Sequence, residues 1–453
     1  GGIMAALAAA AGGIHLARAL PVASSALQEK KGEKQKVLIL LSDTGGGHRA
    51  SAKALVDAFE VLAPGKVEAE VVDVWTDHAP KPFNNFVKNY QYLAQRPLQW
   101  RLLYSFGRWG PFRRSTNEWT NFKCNKPFKT FIEESDADMI ISVHPLCQFI
   151  PLRVLRSLRK TSDKQVPFVT VVTDLASAHP TWFHKDVDKC FVATEELAKM
   201  ARYHGVTEEK ISVHGLPIRP AFWSPITGDN KGKPGIRRSL GLDDEALAVL
   251  VVGGGDGVGG IAKVAKSIGE QLNADFYSGD KGRNGDVQMI VICGKNEEAK
   301  ADLKSHDWGS LSVHVEGFTD KMSEFMAASD CIVTKAGPGT ITEANIRGLP
   351  IMLSSYLPGQ ERGNVDFVLK GGFGSFSKNP EVIAKTVSGW LQDEESLEKM
   401  SDLSSKQGNP KATFQIAQEI LDMMPSSPSS SSASLPAAAA VSSSSTKIPQ
   451  ATA

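Results

Sequence analysis

Apolar residues in this chain fall into short Val/Ile/Leu runs separated by stretches of helix length. The first run, at 36–43 (KVLILLSD), leads straight into Thr44-Gly45-Gly46-Gly47-His48 and then a helical pattern over 50–62. Further runs follow at 67–74, 138–143, 167–173, 189–194 and 211–213. Continuous apolar runs, rather than strict alternation, mark strands buried on both faces, and strands alternating with helices predict a parallel sheet covered on both sides. The segment 221–237 loses this rhythm and collects Pro, Gly, Asp and Lys, which reads as a linker. A second series begins at 246–252 and continues at 287–293, 312–315, 331–334 and 350–353. The expected organisation is a leader over 1–35, a doubly wound α/β domain over 36–220, the linker over 221–237, and a second such domain over 238–424. The last helix of the second domain is a candidate to pack back on the first. A Ser/Ala/Pro tail over 425–453 has too few large apolar residues to fold. A length of 453 residues agrees with two cores rather than one.

In doubly wound sheets, ligands sit beyond the carboxyl ends of the strands, where loops feed helix N-termini. Three glycine-rich loops occupy such places: Gly45-Gly46-Gly47-His48; Gly253-Gly254-Gly255-Asp256-Gly257; and Lys335-Ala336-Gly337-Pro338-Gly339-Thr340, which opens a helix near 342–347. Backbone N–H groups and the helix dipole at these points favour phosphate. None has the Walker A spacing, and the second departs from the dinucleotide fingerprint, which counts against a dehydrogenase. Two halves with facing glycine loops point to a ligand clamped between them. His48 stands at a helix start, where the dipole favours neutral imidazole and suits a general base; capping or a phosphate contact is the alternative role. Of His78, His144, His179, His184, His214 and His314, most follow strand ends, and two or three are expected at the cleft. Glu343 suits a ribose diol, or else the dipole of its own helix. Gln360, Glu361 and Asn364, on the turn after the 350–353 run, offer groups for sugar hydroxyls or lie on plain surface.

A formal net charge of +1 marks neither a nucleic-acid binder nor an enzyme of acidic substrates. The five cysteines lack metal-ligand spacing, and Cys147, Cys293 and Cys331 lie in or beside apolar runs, as small buried hydrophobes do. Two Asp-x-Asp strings, Asp136-Ala137-Asp138 and Asp186-Val187-Asp188, border strands and read as chance. The first 27 residues hold basic but no acidic residues, which suits either the end of an organelle transit peptide or a disordered leader.

The stretches SDTGGGHRASAKAL (42–55), VVTDLASAHPTWFHK (171–185), HGLPIRPAFW (214–223), VVGGGDGVGGI (251–261) and TKAGPGTITEANIRGLPIMLSSYLPGQERGN (334–364) run through both halves in order. In them the sequence resembles the monogalactosyldiacylglycerol synthases of plastids, relatives of the bacterial MurG-type transferases. The resemblance implies the GT-B fold, two Rossmann-like domains facing each other across a cleft. It also implies inverting transfer of galactose from UDP-galactose to 1,2-diacylglycerol at a plastid envelope membrane, with no obligatory metal or cofactor. On the matching positions, His48 is implied as the catalytic residue. Gly46, Gly47, Arg219, Gly253, Gly254, Gly255, Asp256, Phe318, Lys335, Gly337, Gly339, Thr340, Glu343, Gln360, Glu361, Gly363 and Asn364 are implied for the UDP-sugar, with Phe318 beside uracil. Pro82 and Trp182 are implied for an anionic phospholipid activator such as phosphatidylglycerol or phosphatidic acid. Arg362 and Asp256 depart from the residues that relatives often carry there. Another UDP-sugar (glucose or N-acetylglucosamine) on a lipid acceptor, a UDP-N-acetylglucosamine 2-epimerase and a non-catalytic sensor are the alternative readings. A homodimer is compatible with each of these readings.

The 48 residues 81–128 hold nine Lys/Arg, one acid (Glu118) and twelve of the chain's 34 aromatics. Basic groups attract anionic headgroups at ~1 kcal/mol each and aromatic rings settle at the interface. The segment is therefore expected either to dock peripherally on a membrane or to pack as an insertion. Single-stranded nucleic acid suits the same composition, but no RNA-binding motif accompanies it.

Overall fold

The computed structural model describes residues 34–94, 96–161, 164–226, 232–253, 260–277 and 287–424. The expected leader, apart from its last two residues, the Ser/Ala/Pro tail, and Gly254, Gly255, Asp256 and Gly257 lie outside the described residues. Among the described residues, twelve strands form two wholly parallel sheets of six. The first contains β1 (Gln35–Leu41), β2 (Val67–Asp73), β3 (Met139–Ser142), β4 (Phe168–Val171), β5 (Lys189–Val192) and β6 (Ile211–Val213), in the order 2-1-3-4-5-6. The second contains β7 (Leu247–Val252), β8 (Val287–Ile292), β9 (Ser312–Glu316), β10 (Cys331–Lys335), β11 (Ile351–Ser355) and β12 (Gly374–Phe376), in the order 12-11-10-7-8-9.

Each sheet is buried on both faces, and the side-chain period of two divides its residues between two cores. In β1, Leu38 and Leu40 join one core while Val37, Ile39 and Leu41 join the other. In β7, Val249 and Val251 face one side and Ala248 and Leu250 the other. The apolar runs thus lack alternation because both faces need hydrophobic side chains. All five cysteines are free and buried.

The strand orders locate the sites. In the first sheet the chain steps from β1 outward to β2 on one side and to β3 on the other, so the order reverses between β1 and β3. In the second sheet it reverses between β7 and β10. Such switch points open crevices beyond the strands' carboxyl ends. The histidine loop follows β1, and the other two glycine loops follow β7 and β10.

The last helix, Ala412–Asp422, leaves the second half and packs on the first: Ile416, Ala417 and Ile420 complete the core beneath Val37, Ile39 and Leu41. Glu419 ties it to β6 by accepting from Ser212 Oγ at 2.8 Å and meeting His214 Nε2 at 2.5 Å. The linker reading of 221–237 needs correction. Gly232–Ser239 is helical, with Arg237 buried and bonded to Asp330 at 2.5 Å and to the Ala328 carbonyl at 2.8 Å. Gly232 and Pro234 lie in its first turn, where the missing proline N–H has no helical partner to lose.

Candidate functional site

Two helices start at the switch points without a side-chain cap. One is Gly46–Leu62, whose first residues are Gly46, Gly47 and His48; the other is Pro338–Ile346, which begins Pro338, Gly339 and Thr340. Unsatisfied N–H groups at a helix start, reinforced by the dipole, make each a ready anion site. A Cβ at Gly46, Gly47 or Gly339 would meet nothing within 4 Å, so intramolecular packing does not demand glycine there. Open space above backbone N–H groups suits a close-lying ligand.

His48 is fixed by its ring. Nδ1 lies 3.0 Å from the Val143 carbonyl and 2.8 Å from Thr173 Oγ1. A carbonyl only accepts, so Nδ1 carries the proton and Nε2 the lone pair. Burial pushes its pKa down to about 4, against smaller opposing effects from the Val143 bond and Asp43. The sign is the one expected at a helix start, but desolvation is the leading cause. His144 packs edge-on against His48, with centroids 4.6 Å apart. The Leu146 N–H donates to His144 Nδ1 at 3.2 Å, so His144 Nε2 donates to Thr44 Oγ1 at 3.1 Å. Trp182 stands on another side, its ring 6.1 Å from that of His48.

Beside the helix start that follows β10, Arg219 and Glu343 form a two-pronged pair: Nε to Oε1 at 2.8 Å and the guanidinium's second nitrogen to Oε2 at 2.7 Å. Glu343 is buried, which raises its pKa despite Arg219. Lys335 donates to Glu361 Oε1 at 2.7 Å, while Glu361 Oε2 accepts from the Leu357 N–H at 2.7 Å. Phe318 is 75 % exposed, leaving its face open to stack on a planar ligand. Gly253 packs against Ile261 and the ends of β8, and its N–H continues the ladder to Ile292.

The sequence-based expectations for the Gln360–Asn364 stretch change most. Asn364 accepts from the Ala176 N–H at 3.2 Å and donates to the Ala336 carbonyl at 2.9 Å. The Gln360 carbonyl accepts from Ser177 Oγ at 3.0 Å, and a Cβ at Gly363 would lie 2.5 Å from that of Ser177. Gln360, Gly363 and Asn364 therefore lock this loop to Ala176 and Ser177 of the first half, and Glu361 ties it to Lys335. Trp182 also differs from expectation. It is fully buried and donates its indole N–H to Asp174 at 2.7 Å, so it offers no surface to a lipid; Pro82 is exposed.

Asp174, Thr173 and Val143 were missed as site residues, and His144 was not separated from the other histidines. Asp174 is 6 % exposed, receives the Trp182 N–H, and is pushed up to about 7, chiefly by burial. Its position just past a strand's carboxyl end was the one available signal. Both Asp-x-Asp strings border strand starts, away from the carboxyl ends. Their carboxylates bind Lys164, Arg156, Arg159 and the N–H groups of Lys36 and Phe168.

Residues 81–128 both pack and face outward. Trp100, Cys124 and Phe128 are buried, whereas Leu98, Leu102, Phe106, Trp109, Trp119 and Phe122 are more than half exposed. The helix Pro97–Arg108 carries Leu98, Leu102 and Phe106 along its outer face; Tyr104 faces inward, its ring 5.0 Å from His179 and pressed on Gly359. Among the described residues no helix is long and apolar enough to cross a membrane.

Acid should weaken the fold through the histidines. Burial lowers His48, His179 and His184 to about 4 and holds His144 well below the ordinary 6.5. Depressed values mean that the unfolded chain takes up these protons first, so this stability is present above 6.5 and is lost as pH falls toward 4. The slope is ~1.4 kcal/mol per pH unit for each proton. Denaturant melts between pH 7 and 4.5 check this, and a flat profile would contradict it.

Two doubly wound domains, with uncapped helix starts and a neutral histidine at their switch points, define a GT-B-type architecture. The fold is shared with MurG of Acinetobacter baumannii (TM-score 0.55, 16 % identity, 86 % of this chain and all of that one). It is shared equally with a putative UDP-N-acetylglucosamine 2-epimerase of Listeria monocytogenes (TM-score 0.53, 14 % identity, 86 % and 96 % covered), so architecture alone does not separate the chemistries. Sequence does. The family model for monogalactosyldiacylglycerol synthase matches residues 48–218, and that for the glycosyltransferase family 28 C-terminal domain matches 248–413. Monogalactosyldiacylglycerol synthase 1, chloroplastic, of Arabidopsis thaliana is 43 % identical over 400 residues, covering 86 % of this chain and 71 % of the relative. The chloroplastic synthase of Spinacia oleracea is 42 % identical over 396 residues, covering 86 % and 73 %. The chain belongs to the monogalactosyldiacylglycerol synthase family.

Proposed function

We propose that the chain transfers galactose from UDP-galactose to the free hydroxyl of 1,2-diacylglycerol, inverting the anomeric centre and producing monogalactosyldiacylglycerol. The observation that carries the mechanism is the His48 tautomer: Nδ1–H is spent on Val143, leaving Nε2 as a base at the β1/β3 switch point. The acceptor O–H bond breaks and its proton passes to Nε2; the new C1–O bond forms as the C1–O bond to phosphate breaks, and that electron pair leaves with UDP. The N-terminus of Pro338–Ile346 and Lys335 stabilise the departing diphosphate without an obligatory metal. Glu343 and Arg219 hold the nucleoside end, and Phe318 stacks on uracil. The lipid acceptor enters beside Pro97–Arg108, whose apolar outer face and neighbouring arginines suit an anionic bilayer. Phosphatidylglycerol or phosphatidic acid acts near Pro82, and the enzyme works peripherally on a plastid envelope membrane, in keeping with relatives named chloroplastic.

Incubation with diacylglycerol vesicles and either UDP-galactose or UDP-glucose, followed by product identification, tests this reading. A galactolipid is expected; a glucolipid would change the sugar, and no glycolipid from either donor would overturn the reading. Binding to anionic vesicles should weaken steeply between about 50 and 500 mM salt, as the Debye length shrinks. Salt-insensitive or absent binding would make 81–128 a packed insertion only.

A further inference from the structure

The helix Pro97–Arg108 has two faces, and the inner one reaches the second half of the molecule. Trp100 is buried and meets Tyr90 edge-on, with ring centroids 4.9 Å apart. One turn further on, the Tyr104 ring stands 6.0 Å from that of Trp100 and edge-on to His179 at 5.0 Å. Gly107 continues this face, since a Cβ there would lie 3.0 Å from His179 Nε2. His179 is itself fixed, its Nδ1 accepting from the Thr181 N–H at 3.3 Å. The Tyr104 ring also lies against Gly359 of the loop after β11. A Cβ at Gly359 would stand 2.8, 3.2 and 3.3 Å from Tyr104 Cδ1, Cγ and Cε1. Three ring carbons so close to one backbone position leave no room for a side chain. Gly359 also has φ at +87°, so both its conformation and its neighbour call for glycine.

Gly359 sits at the tip of a turn that Glu361 closes. The Glu361 N–H donates to the Leu357 carbonyl at 3.0 Å, and Glu361 Oε2 accepts from the Leu357 N–H at 2.7 Å. The other carboxylate oxygen, Oε1, accepts from Lys335 Nζ at 2.7 Å. Lys335 ends β10, just before the helix start at Pro338. An ammonium on a flexible four-carbon stem has no fixed place of its own, so the buried Glu361 carboxylate sets where it stands. Contacts thus run unbroken from Tyr104 to Gly359, around the turn to Glu361, and on to Lys335. Ser177 and Ala176 fasten the loop at Gln360 and Asn364, while Tyr104 covers its tip.

We propose that Tyr104 is a positioning residue for donor binding, seating the turn 357–361 so that Glu361 holds the Lys335 ammonium where the diphosphate binds. The inference rests on the reading above that Lys335 meets the donor's diphosphate. Tyr104 acts through Glu361 and Lys335 rather than on the donor itself. A twelve-residue helix is marginal alone, so its inner contacts decide whether it stays over the turn. The helix then has two tasks: Leu98, Leu102 and Phe106 face outward, and Tyr104 serves the nucleotide site. The Arg219–Glu343 pair is built from other residues, so the nucleoside end should not feel the loss of Tyr104.

The test reads dissociation constants of UDP and of uridine by calorimetric titration and displacement. It compares wild type, Tyr104→Ala, Tyr104→Phe, Lys335→Ala and the Tyr104→Ala/Lys335→Ala double variant, each checked for a native melt. Tyr104→Ala should weaken UDP about tenfold, the scale of one charge-assisted hydrogen bond, and leave uridine within about twofold. Tyr104→Phe keeps every ring carbon that meets Gly359 and His179, so it should bind UDP within about twofold of wild type. The double variant should be no worse than Lys335→Ala alone, because without the ammonium the turn has no charge left to place. Unchanged UDP affinity in Tyr104→Ala, an equal loss for uridine, no recovery in Tyr104→Phe, or additive losses in the double variant would each overturn the proposal. Should Tyr104→Ala fail to fold, Gly359→Ala takes its place, since its methyl group collides with the same ring. Weaker UDP with uridine kept is then the expected result, and unchanged UDP affinity overturns the proposal. Lys335→Ala with wild-type UDP affinity would remove the diphosphate reading and this inference with it. A loss in Lys335→Ala without one in Tyr104→Ala would overturn this inference alone.

Discussion

His48→Ala should lower kcat by about 10²–10⁴-fold, the usual worth of a positioned general base, while UDP affinity stays within a few-fold. The separation follows from geometry. His48 is the third residue of its helix, and its ring is held by Val143 and Thr173 of the first half, whereas Arg219, Glu343 and Lys335, the groups proposed to hold UDP, pair among residues at the end of β10 and the helix after it. His48→Asn, which keeps a polar group but no base of comparable strength, should fall near the alanine variant. Thr173→Val removes one of two acceptors for Nδ1 and should cost far less, about tenfold or under, because the Val143 bond still fixes the tautomer. Since His48 is lowered to about 4, it stays unprotonated at neutral pH; its loss of basicity should appear only on the acid side, below about pH 5. Equal loss of UDP affinity and kcat in the alanine variant would make His48 a ligand contact and no base.

The fold was more legible than the site. Both sheets followed from apolar runs because a strand buried on two faces has only hydrophobic choices, and the predicted runs match the observed strands to within about two residues. β12 escaped because Gly374–Phe376 is a short edge strand with no such run. The helix Gly232–Ser239 escaped because its Gly, Lys and Pro mimic a linker, while its burial depends on Asp330, nearly a hundred residues away. His48 and the glycine loops were legible because backbone approach to an anion constrains residue type locally. Partnership was not. Nothing in the order of residues says that the Val143 carbonyl takes the His48 proton, that Arg219 and Glu343 grip each other, or that Asn364 is consumed by Ala176 and Ala336. Such pairings arise only when strand ends are brought together, and they commit Glu361 and Asn364 to holding their own loop in place.

That pairing makes Glu343→Ala the variant with the largest expected effect on donor binding. The carboxylate is buried and meets Arg219 through both oxygens, joining the start of the crossover between halves to the second turn of Pro338–Ile346. Removing one partner of such a pair typically costs ~3–5 kcal/mol because the other charge is left uncompensated. Here Arg219 is partly exposed, so water recovers some of that cost, and the stability loss should fall at the lower end or below it. Donor affinity should suffer more: Glu343→Ala removes the proposed ribose contact and also frees Arg219 from its orientation, so KM for the UDP-sugar should rise about 10²-fold. Arg219→Ala should do less, since it leaves Glu343 in place, and the double variant should be far from additive. Glu343→Gln separates charge from shape: it keeps a hydrogen bond to Arg219 and should regain part of the affinity. A double-mutant cycle on UDP binding decides the point. Additive effects would mean that the two residues act independently, and Glu343 would then be the structural partner of its own helix rather than part of the nucleotide site.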